Sequence, residues 1–80
     1  MTRPHRRTPA TEPLEPLARA VAAELERLHV RALVEVDFER GVVMIEELAE
    51  ADLVVLLTGF RRARVKAEAV GGGAIAVWPS

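Results

Sequence analysis

Apolar and polar residues alternate across residues 30–38. Val30, Ala32, Val34, Val36 and Phe38 fall on one side, Arg31, Glu35 and Asp37 come between them, and Leu33 is the exception. That period of two predicts a strand with one face in a core and the other in water. Glu39-Arg40-Gly41 interrupts it, and Val42-Val43-Met44-Ile45 resumes as a second strand. A short polar loop containing Gly between two β-rich runs predicts a hairpin.

Upstream the period changes. Leu14, Leu17, Ala18, Val21, Leu25 and Leu28 follow the spacing of one buried helical stripe, which predicts a helix over 14–29. Pro16 is tolerated in the first turn, where no intrahelical donor is lost. Glu15 with Arg19 and Glu24 with Arg27 have the spacing of surface ion pairs.

Downstream, residues 46–58 admit two readings. Leu53 to Leu57 has the unbroken apolar character of a fully buried strand. A helix is favoured because Glu46, Glu47, Glu50 and Asp52 occupy the half where the positive end of a helix dipole favours acids. On this reading Gly59 takes the left-handed cap, Phe60 packs back on the last turn, and Arg61 and Arg62 follow at the negative end. Residues 62–70 alternate again, Gly71-Gly72-Gly73 turns the chain, and residues 74–78 return as a last strand before Pro79.

The predicted order is helix, strand, strand, twice over. A shift of 32 positions sets Leu17, Val21, Leu25 and Leu28 on Ala49, Leu53, Leu57 and Phe60, and Gly41 on Gly73. It also sets Val43 and Ile45 on Ile75 and Val77, while the first strands slip by one position. Neither half can bury its stripe alone; two halves can share one core. The fold class expected is therefore α+β, αββαββ, with a four-stranded antiparallel sheet and two helices on one face. This layout resembles the ferredoxin-like βαββαβ plan, circularly permuted so that its first strand comes last. That plan hosts many unrelated functions.

Residues 1–13 hold three Pro and three Arg without apolar periodicity and are expected to form a disordered arm, leaving a single domain over 14–80. A domain this small buries about 60 % of its unfolded surface, a narrow margin. With no Cys, disulfides and thiolate metal sites cannot widen it, so self-association is a natural remedy. The alternation leaves Leu33, Val42, Met44, Val70 and Trp78 on the sheet's second face among charged residues, which marks them as a candidate interface.

Composition narrows the chemistry. The chain has no Asn, Gln, Cys or Tyr, and its basic residues are Arg apart from Lys66, a bias shared by thermophiles and by GC-rich coding. No apolar run reaches the ~20 residues of a membrane span, and no secretory signal pattern opens the chain, so the cytoplasm is expected. Charge is segregated. Residues 35–52 are strongly acidic, and Arg61, Arg62, Arg64 and Lys66 form a basic run that suits phosphates. Net charge −1 and only three aromatic residues argue against general nucleic-acid binding through stacked bases. The three glycines lie before a strand, so they serve a hairpin and not a phosphate loop. His29 fits a helix end, and the glutamates of the second helix have no His at metal-ligand spacing. No catalytic residue, metal or cofactor is therefore assigned. The expected function is a small non-catalytic interaction module that self-associates as a dimer through its sheet. The second reading is anion or nucleic-acid binding through the basic strand 61–66.

Overall fold

In a computed structural model of the chain, which describes residues 14–79, the 14–29 periodicity becomes helix α1 (Leu14–Arg27), burying Leu14, Val21 and Leu25. The expected arm, 1–13, lies outside the described residues. Helix α1 stops two residues short of His29 because the chain reverses there. The Val30 N–H donates to the Leu25 carbonyl at 2.9 Å, the His29 N–H donates to the Glu26 carbonyl at 3.1 Å, and His29 takes a left-handed φ of 57°. These two bonds satisfy carbonyls that the helix end would otherwise orphan, in the Schellman arrangement.

Strands β1 (Leu33–Asp37) and β2 (Val42–Glu46) pair antiparallel, from Leu33 opposite Glu46 to Asp37 opposite Val42. The ladder is shorter than the alternation suggested. Asp37 closes it by accepting the Arg40 N–H on its carboxylate at 3.1 Å, and the Gly41 N–H bonds the Asp37 carbonyl at 2.9 Å. Phe38, expected on the core side, is the first residue of that turn and is 54 % exposed.

Residues 53–57 are helical, within α2 (Glu50–Arg62). The helix is displaced toward the C-terminus of the expected 46–58. Glu46 belongs to β2, Glu47 has φ 63° in the connection, and only Glu50 and Asp52 supply acids to the first turn. Gly59 is not the cap. The helix runs through it and ends as α1 does, with the Val65 N–H on the Phe60 carbonyl at 2.8 Å, the Arg64 N–H on the Arg61 carbonyl at 3.1 Å and Arg64 at φ 61°. Continuing past Gly59 costs about 1 kcal/mol in propensity. The same continuation buries Phe60 to 7 % exposure, and burying a side chain of that size contributes about 2–3 kcal/mol. Burial wins.

Strand β3 (Lys66–Gly71) therefore starts four residues later than position 62, so Arg62 and Arg64 do not lie on the sheet. Gly72 and Gly73, with φ 63° and 72°, turn the chain into β4 (Ala74–Trp78). Positive φ at both central positions is what a type I′ hairpin requires. A register shift between Ala69 and Gly71 marks a β-bulge beside the turn.

The four strands form one antiparallel sheet in the order β1-β2-β4-β3. Helix α1 packs on β1 and β2, and α2 on β3 and β4. Val43 opposite Val77 and Ile45 opposite Ile75 stand at the centre, all four fully buried, beneath Leu14, Val21 and Leu25 of α1 and Leu56 and Phe60 of α2. The molecule is thus two layers: helices over one face of the sheet, and a second face turned outward.

Candidate functional site

The pairing registers fix what the outward face presents. Reading across β1, β2, β4 and β3, the first row is Asp37, Val42, Trp78 and Lys66. The middle row is Glu35, Met44, Ala76 and Glu68, and the last begins Leu33, Glu46 and Ala74 and ends near Val70 at the bulge. Met44 opposite Ala76 is the centre of the sheet. The central β2–β4 register is carried onto itself by the 32-position shift, with Val43–Val77 becoming Ile75–Ile45.

The middle of this face is apolar and its margins are charged. Val42, Ala74 and Ala76 are 2 %, 8 % and 4 % exposed, yet none belongs to the core beneath the helices. Met44 and Trp78, on the same face, are half-buried. Leu33 and Val70, at the two ends of the last row, are 43 % and 48 % exposed. All five candidate interface residues therefore lie on the strands. Strand parity also sets Ala74 and Ala76 on this face, beside Trp78.

The Lys66 ammonium sits 5.6 Å from the centroid of the Trp78 ring, within cation–π range, which directs it over the face. Arg61 and Arg62 are in the last turn of α2, in the helical layer, and Arg64 occupies the left-handed position after it. The four cations expected to act together are divided between helix end, turn and strand.

A second concavity, about 210 Å³, runs between the helices and is lined by Val21, Leu28, Val55, Leu56, Phe60 and Val65, with Gly59 leaving room on one side. Glu24 stands at its margin, and its carboxylate is held by Arg27, whose Nε donates to Oε1 at 3.1 Å. That bond draws the Glu24 carboxyl below its ordinary range and raises the Arg27 guanidinium. The groove offers apolar contact and no nucleophile. Among the described residues, no three His, Asp or Glu side chains gather as a metal site, and no helix is long and apolar enough to cross a membrane. No family model, curated protein or solved structure matches the chain.

Proposed function

We propose that the chain is a non-catalytic interaction module that self-associates through the outward face of its sheet. The observation that carries this reading is the apolar centre formed by Val42, Met44, Ala74, Ala76 and Trp78 on the side of the sheet away from both helices, flanked by the exposed Leu33 and Val70. A two-layer domain of this size has little core to spare, and a second copy supplies a third and fourth layer. The strand order β1-β2-β4-β3 supports, within the same reading, a permuted ferredoxin-like plan built from two related αββ halves. A cytoplasmic setting and a thermophilic source are parts of the proposal that rest on composition alone.

Sedimentation equilibrium across the micromolar range tests it. The wild type is expected to dimerise, and Met44→Glu, which puts a charge at the centre of the face, is expected to be a folded monomer. A wild type that stays monomeric at the top of the range removes the reading. Dimers abolished by a Pro in β1 or β3 but indifferent to Met44→Glu move the contact from the face to an edge.

A further inference from the structure

The charges at the margins of the outward face are arranged unequally, and this selects one way for two copies to meet. The first row ends in Asp37 on β1 and Lys66 on β3, and the middle row ends in Glu35 and Glu68. Two sheets that pack face to face in the aligned class keep their strands within about 30° of each other, about 10 Å apart. A two-fold axis in the plane of contact then runs either along the strands or across them.

An axis across the strands lays the first row on the last. Asp37 falls on the partner's Leu33 and Val42 on the partner's Glu46, so each acid is desolvated against an apolar side chain. An axis along the strands lays every row on itself, reversed, with β1 over the partner's β3. Asp37 then meets the partner's Lys66, Val42 meets the partner's Trp78, and Met44 fills the space over the partner's Ala76. Leu33 comes over the corner where the partner's Val70 stands. Opposite charges and large-on-small contacts coincide in this arrangement alone.

We infer that two copies of this chain associate sheet to sheet about a two-fold axis parallel to the strands, pairing Asp37 with Lys66 of the partner subunit. This rests on the self-association proposed above and adds its geometry. The arrangement has two unfavourable features: Glu46 falls on the partner's Ala74, and two glutamates meet across the contact, which gives the test. Glu35 lies over the partner's Glu68, twice per dimer. Within one protomer these two glutamates are on the two edge strands, three strand spacings or about 14 Å apart. That exceeds the screening length of about 8 Å at physiological salt, so within a protomer they do not couple.

Dissociation constants by sedimentation equilibrium are to be measured for the wild type, Glu35→Lys, Glu68→Lys and the double variant. Both glutamates are exposed, so the fold is expected to survive, checked by circular dichroism. Each single reversal turns two repulsive pairs into two attractive ones and should tighten the dimer roughly fivefold. The double variant restores like charges and should lose that gain. If the wild type dimerises but the singles leave the constant unchanged, or their effects simply add in the double, this geometry is overturned and self-association stands. A wild type that does not dimerise overturns both.

Discussion

Gly73 and Leu48 meet backbone to backbone. The Leu48 N–H donates to the Gly73 carbonyl at 2.9 Å, and a Cβ placed on Gly73 would stand 2.7 Å from the Leu48 carbonyl oxygen. The turn of the second hairpin is thereby fastened to the connection that leads from β2 into α2. Two of the three consecutive glycines serve turn geometry alone; Gly73 serves the turn and this close approach.

Substitution separates these roles. Gly72→Ala meets only the cost of a left-handed φ of 63°, about 1 kcal/mol, because nothing lies within 4 Å of the added carbon. Gly73→Ala adds a clash with backbone that has no flexible end to swing away, so its cost should exceed 2 kcal/mol. Urea unfolding of the two variants compares them directly. Equal midpoints would show that the approach to Leu48 carries no constraint.

The helix ends make the opposite prediction. Gly59 lies inside α2 with open space around it, so Gly59→Ala should stabilise the protein by about 0.5–1 kcal/mol. His29 is a non-glycine residue at φ 57° in a position where glycine is preferred, and His29→Gly should stabilise by a similar amount. Both appear as higher midpoints with unchanged m-values. A drop in stability for Gly59→Ala would mean that the groove between the helices closes on that residue.

Much of this architecture is legible in the hydrophobic pattern, because periods of two and 3.6 follow from backbone geometry alone. Strand parity put Leu33, Val42, Met44, Val70 and Trp78 on the second face, and the strands carry them as read. What parity cannot supply is strand order, and without order Asp37 and Lys66 have no shared row. The ends of α2 depart from the pattern for a different reason. Gly59 carries a strong local stop signal, but burial of Phe60 and Val65 around the cap at Arg64 is a tertiary effect that outweighs it. Phe38 misled in the reverse sense. Its parity fits the core, yet the turn held by Asp37 takes it out of the ladder.

The Lys66–Trp78 contact joins cross-strand neighbours on β3 and β4. An exposed cation–π pair of this kind contributes about 0.5–1 kcal/mol. A double-mutant cycle with Lys66→Ala and Trp78→Leu should return a coupling near that value at concentrations where the protein is monomeric. A coupling indistinguishable from zero would leave Trp78 acting only by covering Val42 and Ala76.

The Glu24–Arg27 pair gives a pH dependence whose sign is determined. Hydrogen bonding to Arg27 lowers the Glu24 carboxyl in the folded state, so the ionised form is favoured by folding. The stabilisation is complete above the unfolded carboxyl's pKa and is lost as pH falls through the lower, folded value. Arg27 is raised, but it stays charged on both sides of that window and adds no slope there. Arg27 is exposed and Glu24 is open to solvent on one side, so screening keeps the effect small. Glu24→Gln should therefore melt slightly below the wild type at neutral pH, and the two melting curves should converge as pH falls below the ordinary carboxyl range. A gap that persists into acid would assign the loss to packing of the Glu24 side chain at the margin of the groove, and the charge would then play no part.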